Sequence, residues 1–201
     1  GEYHLTDRKV LDDLVHHRLD RENSEYSNLR SKHFLYDEQT TVAKDLLKIK
    51  YRTKFNKLAE FTSLHMFVVS LRCEHSCPYC QVSRQSDDKK KYDMSKEIAS
   101  SSIDLALKSP SKNIKIEFQG GESLLNFELI KYIVHETKSR NNNKNIGFVI
   151  ATNLAVVTKE ILEFCLTHDI HISTSLDGPK NLHNANRPRP GKNSYEKTIE
   201  G

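Results

Sequence analysis

The stretch that decides the fold is "MFVVSLRCEHSCPYC", Met66 to Cys80. Its first six residues form a short, almost wholly apolar run with β-branched content, the pattern of a buried strand. A polar loop follows at once, and it gathers three of the chain's four cysteines, Cys73, Cys77 and Cys80. Thiolates at this spacing suit zinc or an iron–sulfur cluster. A structural zinc ion is closed by four ligands, so His75 or His65 would have to complete the set. A cluster held by three cysteines instead leaves one iron open to a small molecule. The fourth cysteine, Cys165, falls on the apolar face of a predicted helix, where a buried free thiol is expected.

Outward from Cys80 the chain alternates. "MSKEIASSSIDLALKS" places Ala99, Ile103, Ala106 and Leu107 on one helical face, with Ser95 as the cap. "IKIEF" (114–118) reads as a second strand, and "NFELIKYIVHETKS" as a helix presenting Phe127, Ile130, Ile133 and Val134. "IGFVIAT" (146–152) and "IHISTSL" (170–176) read as strands three and four. A third helix, "TKEILEFCLTHD", lies between them with Ile161, Leu162 and Cys165 inward. Four strands alternating with helices predict a parallel α/β sheet, open or closed into a barrel. Periodicity does not choose between the two.

Residues 1–65 read differently, as a mainly helical N-terminal extension. "HLTDRKVLDDLVHHRLD" sets Leu5, Val10, Leu14 and Val15 in a helix-compatible pattern, and "YSNLRSKHFL" predicts a second short helix anchored by Leu29 and Phe34. "KDLLKIKYRTKFNK" carries Lys44, Lys48, Lys50, Arg52, Lys54 and Lys57 against Asp45 alone. Such a run is either a solvated helix face or a docking surface for an acidic peptide.

The bulk composition narrows the setting. With 36% hydrophobic and 29% charged residues, the 201-residue chain has the make-up of a soluble globular protein. A formal charge of +4 gives no reason to expect a nucleic-acid partner. No apolar run approaches the roughly 20 residues that span a bilayer, and the opening "GEYHLTDRKV" lacks a signal-peptide layout. A cytoplasmic, reducing compartment is expected, where clustered thiols serve metal or redox chemistry. Gly1 in place of Met, and a helix just begun at "NSYEKTIEG" with Ser194 as its cap, suggest a piece of a longer chain.

The polar motifs fall where each predicted strand ends. The cysteine loop follows strand one, and "QGGES" (119–123) follows strand two. "TN" (152–153) closes strand three, and "SLDG" (175–178) strand four. In parallel α/β folds the C-terminal strand ends share one face, where ligands gather.

These motifs carry a resemblance. "CEHSCPYC" resembles the Cys-x3-Cys-x2-Cys signature of the radical S-adenosylmethionine (radical SAM) enzymes, "GGES" their Gly-Gly-Glu motif, and "TN" their third-strand motif. "SLDG" and "HNANRPRPG" resemble segments of the peptide- and protein-modifying, SPASM-type branch. More narrowly, "LRCEHSCPYCQVSRQ", "KIEFQGGESLLNF" and "STSLDGPKNLHNANRPRPG" are similar to the His-Xaa-Ser system maturase. The resemblance implies a partial (β/α)6 TIM-like barrel over residues 66–201, truncated after about the fourth strand. It implies a [4Fe–4S] cluster on Cys73, Cys77 and Cys80, with S-adenosylmethionine (SAM) on the unique iron. Tyr79 would pack near adenine. Gly120 and Gly121 would let the backbone approach the ligand, and Glu122 would meet the methionine ammonium. Asn153, Ser175 and Asp177 would supply polar contacts, and Arg187 the counter-charge for the carboxylate. The reaction implied is cleavage of SAM to a 5′-deoxyadenosyl radical that modifies a ribosomal peptide or protein. Partners would be a precursor peptide or protein substrate and an electron donor such as flavodoxin or ferredoxin. Ser123 stands where many relatives have Pro, and Leu154 where many have Gly. The rival readings are an anaerobic sulfatase-maturing-type enzyme and a non-catalytic, zinc-stabilised peptide-binding module.

Overall fold

The computed structural model describes residues 2–36, 40–82 and 84–201. It divides into two compact units, Gly1–Leu58 and Ala59–Gly201.

Among its described residues the first unit holds the α-helices α1 (Arg8–Val15), α2 (Tyr26–Ser31) and α3 (Thr41–Phe55). Asp7 starts α1 by accepting the Val10 amide at 2.9 Å, so Leu5 lies outside the helix. Val10 and Leu29 are buried. Leu5, Val15 and Phe34, which the sequence pattern groups with them, are exposed. Along α3, Leu46, Ile49, Tyr51 and Phe55 are all exposed beside the basic residues.

In the second unit three successive β–α–β units build one parallel sheet in the order β1 (Leu64–Ser70), β2 (Asn113–Gly120), β3 (Asn145–Ala151), β4 (Ile170–Ser173). The linking helices are α5 (Lys96–Leu107), α6 (Phe127–Arg140) and α7 (Lys159–His168), with a short α4 (Lys89–Tyr92) before α5. The strand order never reverses, which is the winding of a barrel rather than of a doubly wound sheet. Phe67, Val69, Ile116, Phe118, Phe148 and Ile150 point to the helices and meet Ile103, Ile130, Ile133, Val134, Ile161 and Cys165 in one core. Each such side chain fully buried is worth about 1.5–3 kcal/mol. The alternate residues of β1, Met66 and Val68, remain exposed on the other face.

Caps set the helix limits. Ser95 accepts the Ile98 amide at 3.3 Å, Thr158 accepts the Ile161 amide at 3.3 Å, and Asp169 ends α7 in the left-handed region. The last two helices are α8 (Lys180–Asn186) and α9 (Ser194–Glu200). Two sequence expectations are corrected here. Strand four ends at Ser173 rather than Leu176, leaving Ser175 in a loop. Ser194 does not cap α9; its hydroxyl turns inward instead. Among the described residues no helix is long and apolar enough to cross a membrane.

Candidate functional site

The site begins where β1 and β2 end together. Between Val68 and Ser70 the pairing slips, so that Ser70 stands opposite Gly120. The Gly121 amide donates to Ser70 O at 2.8 Å and the Glu122 amide to Arg72 O at 2.7 Å. A Cβ on Gly120 would lie 2.1 Å from Ser70 O, and one on Gly121 2.3 Å from Arg72 O. Glycine is therefore required by the chain's own backbone crossing here. The sequence reading assigned that freedom to the approach of a ligand.

Arg72 anchors the root of the cysteine loop. Its buried guanidinium donates through Nε to Asp93 Oδ1 at 2.8 Å and through Nη2 to Asp93 Oδ2 at 2.9 Å. It also reaches Asp87 at 3.0 Å and the Leu125 carbonyl at 2.7 Å. The fork matches the carboxylate bidentately, a geometry lysine lacks.

Above this root the four strand-end loops enclose a cavity of about 390 Å³, within the roughly 300–1,000 Å³ of small-molecule sites. Cys73, Cys77, Cys80 and Tyr79 line one side. Gly120, Gly121, Asn153, Ser175 and Arg187 line the others. Two of the predicted contacts are absent from the lining. Glu122 is fully buried behind it, accepting Thr152 Oγ1 at 2.7 Å, the Asn153 amide at 2.8 Å and the Leu124 amide at 3.0 Å. Its side chain clasps the β2 and β3 loops together. Asp177 accepts Arg187 Nε at 2.8 Å and the Tyr79 hydroxyl, so it holds two lining residues from outside. The Arg187 guanidinium lies 5.7 Å from the Tyr79 ring centre.

Burial pushes the Glu122 carboxyl up to about 7, although its three donors favour the charged form. A carboxyl raised in this way has its full stability below the ordinary value of 4.5 and loses it as pH rises through about 7. Urea denaturation is expected to show falling stability across that window, with Glu122→Gln flattening the slope.

The thiols are held apart more widely than a single ion allows. Among the described residues, the set whose ligand atoms all lie within 4.8 Å is Cys73, Glu74 and His75, not the three cysteines. A tetrahedral zinc site with bonds of about 2.3 Å needs its sulfurs about 3.8 Å apart. Nor does a histidine complete a zinc site. Both nitrogens of His75 are engaged, by Ser194 Oγ at 2.7 Å and by Glu74 Oε1 at 3.0 Å. His65 lies at the opposite end of β1.

His75 lines the cavity, and Glu74, His183 and Ser194 back it through hydrogen bonds, roles the sequence reading did not assign them. His75 and Ser194 stand 119 positions apart, and no pattern in the sequence joins them. Leu154 takes φ 66°, the left-handed conformation that glycine adopts without steric cost, which accounts for the glycine expected there.

The sequence model of the Radical SAM superfamily matches residues 67–201. The chain belongs to the radical SAM superfamily. It is 24% identical over 215 residues to the radical SAM cyclopropyl synthase TigE of Paramaledivibacter caminithermalis, covering 98% of this chain and 45% of the relative. Over 131 residues it is 29% identical to the cysteine-type anaerobic sulfatase-maturating enzyme of Clostridium perfringens, covering 62% of this chain and 35% of that enzyme. Among solved structures, native anSMEcpe with bound AdoMet superposes with a TM-score of 0.61 at 25% identity, over 69% of this chain and 38% of that one. The chain thus spans under half the length of each of these proteins. The four-stranded sheet is part of a radical SAM TIM-like barrel.

Radical SAM enzymes use a [4Fe–4S] cluster and SAM, and the donor set here fits both. Three thiols line the one cavity, at least two of them more than 4.8 Å apart. Burial pushes the Cys73 thiol up to about 12, so its thiolate needs a bound cation to persist there. Cys77 is also raised by burial, against the pull of nearby Arg187.

Proposed function

We propose that Cys73, Cys77 and Cys80 hold a [4Fe–4S] cluster, and that the remaining walls of the cavity hold SAM, for modification of a ribosomal peptide or protein. The observation that carries this reading is the meeting of three thiols with the Gly120–Gly121 backbone in one cavity. The cluster, once bound and reduced, supplies the electron that cleaves SAM to a 5′-deoxyadenosyl radical. The chain's own residues orient and enclose. Tyr79 and the Gly120–Gly121 backbone line the cavity. Asn153 and Ser175 offer polar edges, and Arg187 offers a cation to a carboxylate. Glu122 and Asp177 act from behind by fixing these groups. The electron would come from a small donor such as flavodoxin or ferredoxin.

Within this function we favour the His-Xaa-Ser system maturase, on the three motif segments that resemble it. Kinship to a sulfatase-maturating enzyme supports a polypeptide substrate. The N-terminal unit is the proposed docking site for an acidic segment of that substrate. On α3, Lys44, Lys48 and Arg52 form an i, i+4, i+8 row, next to the exposed Leu46, Ile49 and Phe55.

Full-length protein, reconstituted anaerobically with SAM and a one-electron reductant, is expected to release 5′-deoxyadenosine and change the mass of a His-Xaa-Ser precursor peptide. Changing Lys48, Arg52 and Lys54 to Glu should weaken peptide binding about tenfold, as loss of several steering charges does, with 5′-deoxyadenosine release retained. Conversion of a sulfatase-derived peptide alone would move the assignment to sulfatase maturation. Unchanged peptide affinity would remove α3 from the docking role.

A further inference from the structure

Both spacers between the cysteines carry a group that reaches the same distant segment, residues 177–194. In the first spacer, His75 Nε2 lies 2.7 Å from Ser194 Oγ, and the Ser76 amide donates to Pro188 O at 2.8 Å. In the second, the Tyr79 hydroxyl donates to Asp177. The first of these ties ends on a buried hydroxyl. Ser194 Oγ also lies 3.0 Å from Nε2 of His183, which is fully buried.

The direction of the bonds at His183 follows from groups that have no choice. The Asp177 amide can only donate, and it points at His183 Nδ1 at 3.2 Å. His183 therefore carries its proton on Nε2. Thr198 agrees, because its hydroxyl proton goes to the Asn153 carbonyl at 3.1 Å, leaving its oxygen to accept from His183 Nε2 at 3.5 Å. Ser194 accepts from His183 and shares a hydrogen bond with His75 Nε2 at 2.7 Å. His75 Nδ1 lies 3.0 Å from Glu74 Oε1, which can only accept, and 2.9 Å from Asn153 Nδ2, which can only donate and also donates to Glu74 Oε1 at 2.8 Å. The network assigns the tautomer of His183, and it engages His75 at both ring nitrogens.

We propose that Ser194 is a positioning residue for the cysteine loop, its hydroxyl joining in one hydrogen-bond chain His183, which accepts from the Asp177 amide, to His75 and through it to Glu74 and Asn153. With the Tyr79–Asp177 bond the chain closes into a ring, so the loop is held on both sides of Cys77. The positioning role rests on the cluster assignment made above; the chain itself does not.

The full chain, labelled with 15N-histidine and kept free of iron, tests the chain by long-range imidazole NMR. His183 is expected as the neutral Nε2–H tautomer, and Ser194→Ala should shift the Nε2 resonances of both His75 and His183, while Ser194→Thr keeps the wild-type pattern. An Nδ1–H tautomer of His183 in the wild type, or unchanged His75 and His183 resonances in Ser194→Ala, overturns the chain. After anaerobic reconstitution, Ser194→Ala should lose iron to a chelator about tenfold more readily, the effect of about 1.4 kcal/mol for a buried hydrogen bond. Ser194→Thr should restore most of that retention. Equal iron loss in wild type and Ser194→Ala overturns the positioning role. Failure of the wild type to take up iron would reject the cluster reading, with the imidazole resonances still deciding the chain.

Discussion

After anaerobic reconstitution, Cys77→Ala is expected to retain no intact cluster, where the wild type takes up about four irons. Cys77 sits between the two clamped spacers, and its thiol lies beside Arg187 on the cavity wall. With two thiolates left, the cluster has too few protein ligands, and SAM cleavage should fall to background. Iron and sulfide analysis with electron paramagnetic resonance decides the matter. Tight zinc uptake with no iron, or a cluster spectrum unchanged by Cys77→Ala, would overturn the assignment. The fold should persist in this variant, because Cys77 is outside the core that joins sheet and helices.

Arg72→Met should have the largest effect on stability. The guanidinium is buried and tied to Asp93 by two bonds, to Asp87 by a third and to the Leu125 carbonyl by a fourth. Removing it leaves the half-buried Asp93 without its cation, a change that costs about 3–5 kcal/mol when a buried pair is broken from one side. The urea midpoint is expected to drop with little change in slope. A loss under about 1 kcal/mol, the range of surface pairs, would reduce Arg72 to a peripheral ion pair. Arg72→Lys should recover only part, since a single ammonium cannot span both Asp93 oxygens.

The scaffold was legible because its signals are local. Ala99, Ile103 and Ala106 repeat at helical spacing, as do Ile130, Ile133 and Val134, and Ile161 with Cys165; β-branched residues mark the strands, and Ser95 and Thr158 are caps within three residues of their partners. The line of polar motifs after each strand placed Cys73, Gly121, Asn153 and Ser175 on one cavity. What escaped was side-chain direction. Glu122 follows two glycines in a motif, yet at the backbone crossing that those glycines permit its carboxylate is fully buried. Ser194 reads locally as a cap, and only the distant His75 and His183 explain its inward hydroxyl. In the N-terminal unit the helix-compatible pattern grouped Leu5 and Val15 with Val10, but Leu5 precedes the short α1, and α1 buries Val10 alone.

The unreversed strand order also bears on how the protein reaches its folded state. Each strand pairs with the next in sequence, so each β–α–β unit closes its own short span before the next begins. The His75–Ser194 bond closes a span of 119 residues, and contacts of that separation carry the largest loop-closure entropy and form late. The sheet is thus a template already in place when the cysteine loop is drawn into position. On that order of events a cofactor would be captured by a sheet already folded rather than nucleate it.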